Sequence, residues 1–172
     1  MPVRRFSMVA VIVAFAFVAG CEAPPTPGKR VGDSCPEIAG QNVDGNVLRL
    51  SDYRGKVVLV SFWGTWCPPC RAMLPHEREM VQGKYRDKPF VLLGVAKDSA
   101  ETLKEFAKAN PLPWPNIVDG SGVLAREWNL EYFPSAVLVD HNGVIRKLWM
   151  DSVSPDEVWS EVAKAVAAAE RQ

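Results

Sequence analysis

The chain has 172 residues, with 20 Lys and Arg set against 20 Asp and Glu. That length suits one domain built around a single core. A balanced charge with no basic stripe gives no footprint for nucleic acid, so no nucleic-acid partner is expected.

Met1-Pro-Val-Arg4-Arg5 precedes an apolar run from Met8 to Ala19, then Gly20-Cys21. A basic start, a short apolar stretch and small residues before a cut site describe an export signal over residues 1–20. The run is short for a transmembrane helix, which needs about 20 residues. Val18-Ala19-Gly20-Cys21 resembles the lipobox of bacterial lipoproteins, which implies cleavage before Cys21 and a diacylglycerol on its thiol. An ordinary signal peptide or an uncleaved anchor are the alternatives. Residues 21–30 hold three prolines and no apolar periodicity, and read as a flexible tether. Residues 31–172 form the domain. Loss of residues 1–20 removes Arg4 and Arg5 and no acid, leaving 18 basic against 20 acidic groups. Outside the cytoplasm disulfides persist, so thiol chemistry there needs a redox partner in the same compartment.

Val31 to Leu50 reads as two short strands around Val43-Asp44-Gly45, because Asp-Gly is a strong hairpin signal. Val57 to Phe62 is an unbroken apolar, β-branched run and predicts a strand buried on both faces. It leads into Trp66-Cys67-Pro68-Pro69-Cys70 and a helix running to about Arg86, interrupted near Pro75. Phe90–Ala96 predicts a second buried strand. Asp98 or Ser99 caps a helix that ends before Pro111. Asn110 to Pro115 reads as a rigid surface loop, followed by a short strand at 116–118 and a short helix at 122–128. Ser135–Asp140 and Val144–Trp149 flank Asn142-Gly143 as a second hairpin. Ser154-Pro155-Asp156-Glu157 opens the last helix, whose apolar stripe is Val158, Val162, Ala165 and Val166. The order, two strands and then βαβαβαββα, predicts an α/β fold with helices on both faces of a mixed sheet.

Cys67 and Cys70, where a strand hands over to a helix, read as a redox pair. The first sulfur sits at a helix N-terminus, whose free N–H groups and positive dipole end favour a thiolate. Pro68 and Pro69 suit a first turn whose N–H groups have no helical partner. Zinc binding is the competing reading, but zinc needs four ligands, and Cys21 and Cys35 lie at the wrong spacing. A purely structural disulfide would close too small a loop to add much stability.

These residues, with Pro75 five positions beyond the second cysteine, resemble the thioredoxin fold. The N-terminal hairpin, the stretch from Asp98 to Trp114 and the export signal are similar to the TlpA-like group, which includes the ResA-like and cytochrome-c-maturation reductases. The resemblance covers residues 31–170. It implies a thioredoxin-like α/β fold with an N-terminal β-hairpin extension, and thiol-disulfide oxidoreductase activity on protein thiols and disulfides. It also implies a membrane thiol-disulfide electron donor, no cofactor, no metal and a monomer lipid-anchored in the cell envelope, facing the periplasm. Tyr132-Phe133-Pro134-Ser135 matches the family's cis-proline loop, so Trp66, Pro68, Pro69, Phe133 and Pro134 are expected to dock substrate. Phe133 stands where relatives commonly carry Thr or Val, and an ordinary trans Pro134 is the alternative. Ser61 stands where thioredoxins carry a buried Asp, whereas Asp98 matches an acid common in TlpA-like proteins. Asp98 is therefore expected to be the base that takes the Cys70 proton, or else a plain helix cap. Cys35 reads as a buried small hydrophobe with a resolving thiol as the minor alternative; His76 reads as a helix-surface residue. Two rival functions remain: a redox-independent binding or chaperone protein, and a thiol peroxidase of the same superfold. The latter places a threonine three residues before its cysteine, where this chain has Gly64.

Overall fold

The structure is a computed structural model that describes residues 28–150 and 153–171. The expected export signal, Cys21 and most of the expected tether lie outside those residues. Two strands, β1 (Ala39–Gln41) and β2 (Val47–Arg49), pair antiparallel as the expected hairpin. Gly45 takes φ +83° in its turn, a left-handed conformation that glycine adopts without penalty.

The main sheet holds β3 (Val57–Trp63), β4 (Phe90–Ala96), β5 (Asn116–Val118), β6 (Ser135–Val139) and β7 (Ile145–Trp149), in the order β5-β4-β3-β6-β7. β3, β4 and β5 run parallel; β6 and β7 are antiparallel to their neighbours. β3 is central and buried at all seven positions, as its unbroken apolar run requires. Its alternate side chains divide the core. Val57, Leu59 and Trp63 join one cluster with Leu74 and, from the last helix (Pro155–Ala169), Val158, Trp159 and Val162. Val58, Val60 and Phe62 join the other with Ile38, Leu50 and Trp128. Cys35 lies in this second cluster, on the face of the sheet opposite the cysteine pair. Burial pushes its thiol up to about 12, which removes it as a thiolate at neutral pH.

The chain departs from the sequence reading at three places. The first helix, α1 (Pro68–Glu79), runs through Pro75 as one element rather than being interrupted there, and it widens into a π-helical turn at Met80–Lys84, ending close to the expected Arg86. That turn brings Tyr85 into the core, stacked 5.6 Å from Trp159 and 4.9 Å from Phe90. The loop before β5 is not wholly at the surface: Trp114 is buried, covering the Trp63 side of the core. His76 is half-buried, its ring edge-on to Trp159 at 5.9 Å.

Candidate functional site

The site lies at the C-terminal end of β3, where chain leaving a buried strand enters the first turn of α1. Cys67 is the N-cap of α1, and its Sγ accepts the backbone N–H of Cys70 at 3.3 Å. Pro68 and Pro69 occupy the first helical positions, where the missing N–H groups cost nothing. Cys67 and Cys70 are joined as a disulfide. Both are 3% exposed, so burial alone does not distinguish attacking from resolving sulfur. The asymmetry lies in partners: Cys67 Sγ has a helix N–H donor and sits 3.6 Å from the Phe133 carbonyl oxygen. A thiolate on Cys67 is therefore held by the Cys70 N–H that its sulfur caps.

The Phe133–Pro134 peptide bond is cis. Phe133 places its ring against Trp66, edge to face at 5.7 Å. Trp66 is 56% exposed and donates its ring N–H to the Lys97 carbonyl at 3.2 Å. Trp63, by contrast, is core, its ring N–H donated to Asn116. A Cβ at Gly64 would fall 2.6 Å from the Trp66 ring nitrogen, so a threonine there would expel the indole. Beside the disulfide an apolar groove runs between Pro69, Met73, Pro134, Val153 and Pro155.

Asp98 is buried in the loop between β4 and α2 (Ala100–Ala109). One carboxylate oxygen accepts the Thr65 backbone N–H and the other its hydroxyl, each at 2.8 Å. The helix-cap role belongs to Ser99, whose hydroxyl accepts the Thr102 N–H. Asp98 thus grips the segment two residues ahead of Cys67.

Glu77 was not singled out by sequence reasoning. Cys70, Leu74 and Glu77 are the buried residues of α1, spaced four and three apart on one helix face. That spacing was the available signal. Burial pushes the Glu77 carboxyl up to about 7, against a smaller opposing pull from Arg78. Among the described residues no group of His, Cys, Asp or Glu could hold a metal ion, and no helix is long and apolar enough to cross a membrane.

The AhpC/TSA family matches residues 31–148. The chain is 29% identical over 129 residues to the thiol-disulfide oxidoreductase ResA of Geobacillus kaustophilus, covering 74% of each chain. It is 31% identical over 134 residues to the thioredoxin-like protein YneN of Bacillus subtilis, covering 76% of this chain and 78% of that one. Among solved structures, a thiol:disulfide interchange protein DsbE from Chlorobium tepidum superposes with a TM-score of 0.70 at 28% identity. The match covers 81% of this chain and 97% of that one. The exposed lipoprotein thioredoxin of Streptococcus pneumoniae gives 0.61 at 28% identity, covering 75% and 99%. The fold is thioredoxin-like, with the β1–β2 pair as an addition at its N-terminal side.

Proposed function

The chain belongs to the AhpC/TSA family and is a thiol-disulfide oxidoreductase of the thioredoxin superfamily, and from that premise we propose that it is an exported, lipid-anchored reductase of protein disulfides. The observation that carries the reading is the Cys67–Cys70 pair at the start of α1, with the Cys67 sulfur accepting the Cys70 N–H as the helix cap. The Cys67 thiolate attacks one sulfur of a substrate disulfide, forming a mixed disulfide and releasing the other substrate sulfur as a thiolate. The Cys70 thiolate then displaces the substrate from Cys67. Two electrons pass to the substrate, and the protein is left with its Cys67–Cys70 bond. A membrane thiol-disulfide donor returns those electrons. Trp66, Pro68, Pro69, Phe133 and Pro134 form the edge on which the substrate chain lies.

In the second step Cys70 must lose its proton. Asp98 is the acceptor we propose, acting directly or through one water from its position behind Thr65. The resemblance to ResA-like proteins points to cytochrome c maturation as the setting. The lipobox ending at Cys21 supports attachment to a membrane, with the monomeric domain facing the periplasm. A peroxidase reading is disfavoured by Gly64, whose side-chain space is filled by Trp66. A pure binding protein has no use for the paired thiols.

One preparation tests both the activity and the anchoring. Expressed in a bacterium, the full chain is expected to take up labelled fatty acid and to begin, when mature, with Cys21. Residues 28–172 alone are expected to be soluble and to reduce insulin disulfides. A mature chain starting elsewhere overturns the anchor; an inert domain overturns the reductase.

A further inference from the structure

The Phe133 edge carries a charge as well as a shape. Lys97 Nζ lies 5.5 Å from the centre of the Phe133 ring. Beside it is Gly122, at φ +66°, where a Cβ would meet Lys97 Cε at 3.1 Å and Arg126 Nη1 at 3.4 Å. A bare glycine thus leaves room for two cationic side chains, and the Lys97 ammonium over the Phe133 ring brings them near the residue whose carbonyl faces the Cys67 sulfur. Arg126 is held there by donating to the Ser121 carbonyl at 2.6 Å.

Neither cation joins an ion pair among the described residues. The nearby buried acids are committed elsewhere. Asp98 accepts from Thr65, and Asp119 accepts the N–H groups of Leu124 and Ala125. Glu127 and Glu131 are exposed acids of the same stretch, and neither pairs with Lys97 or Arg126. Two adjacent cations repel, and the chain as a whole carries no excess positive charge that would scatter them there by composition. An anionic group crossing this rim would relieve that repulsion, and the rim lies where a substrate segment must pass to present its sulfur to Cys67.

We infer that the preferred protein substrates carry an acidic side chain beside the cysteine that reacts with Cys67, and that Lys97 and Arg126 select it. This rests on the oxidoreductase reading and adds the chemistry of the partner. Steering by charges on a rim acts on encounter rate and orientation and is weakened by salt.

The test uses three peptides differing only in the residue beside one cysteine: Glu, Gln or Lys. Each is prepared as the mixed disulfide with 2-mercaptoethanol and reduced by the full dithiol protein. The Glu peptide is expected to react about tenfold faster than the Lys peptide at low salt, with Gln between. The ratio should approach one in about 1 M salt, where the screening length is ~3 Å. The same collapse is expected in Lys97→Gln/Arg126→Gln, or partially in either single variant. Equal rates, the reverse order, or a ratio that survives in the double variant overturn the inference. Bis(2-hydroxyethyl) disulfide, small and neutral, separates the two claims. Wild-type protein that reduces it but treats the peptides alike contradicts only the charge selection. Protein inert towards it contradicts the oxidoreductase reading as well.

Discussion

Asp98→Asn is expected to slow thiol-disulfide exchange by ~10²-fold or more, the range in which a positioned general base contributes. The asparagine keeps the size of the side chain and one carbonyl acceptor for Thr65, and it leaves Ser99 capping α2. What it removes is the negative charge. Of the two charge-assisted hydrogen bonds from Thr65, one becomes neutral and the other loses its acceptor, so some stability is lost with them. The rate effect is read against that loss by measuring exchange across pH on protein shown to be folded. A lost base changes the pH profile of the coupled cysteine pair, whereas a loosened loop lowers the rate uniformly. An unchanged rate and profile would leave Asp98 as the clamp on Thr65, with water carrying the proton.

Glu77→Gln is expected to make the domain more stable above neutral pH and to flatten its stability between about pH 4.5 and 7. The carboxyl lies on the buried face of α1, and burial lifts it from 4.5 to about 7. The folded state therefore holds this proton more tightly than the unfolded chain does. That stabilisation is fully present below the unfolded value of 4.5 and is lost as pH rises through about 7. A change from 4.5 to about 7 corresponds to roughly 3 kcal/mol. Glutamine stays neutral throughout, so wild type and variant should match near pH 4 and differ by up to that amount near pH 8. Denaturant unfolding of both proteins across the range isolates the Glu77 contribution, because every other titrating group is shared. A difference that stays constant with pH contradicts it.

The architecture was legible where local chemistry and tertiary need agree. Val57 to Phe62 can only be a strand buried on both faces, and Asp44-Gly45 and Asn142-Gly143 mark hairpins because Gly45 and Gly143 supply positive φ. Cys67-Pro-Pro-Cys70 announces a helix start by its prolines and a redox pair by its spacing. The remainder depends on groups distant in sequence. Asp98 and Ser99 are equally good caps by type; only the fold turns one towards Thr65 and leaves the other on Thr102. Trp114 sits among prolines in a stretch that reads as exposed, yet it covers a core formed by other segments. Glu77 follows a half-buried His76 and looks like an ordinary helix-surface acid until α1 is rotated onto the sheet. Lys97 and Arg126, separated in sequence by a helix, a strand and a turn, both approach the open space at Gly122.

The central claim is that Cys67 attacks and Cys70 resolves, and trapping of the mixed disulfide tests it most directly. Reduced Cys70→Ser, mixed with a disulfide substrate, is expected to accumulate a covalent complex joined through Cys67, because no second thiol remains at the site to release it. Cys67→Ser is expected to form none, and Cys35, buried on the opposite face with its thiol held up at about 12, contributes nothing in either variant. The complex is read by mass spectrometry of the unreduced mixture. Accumulation through Cys70 in the Cys67→Ser protein, or equal trapping by both variants, would contradict the account.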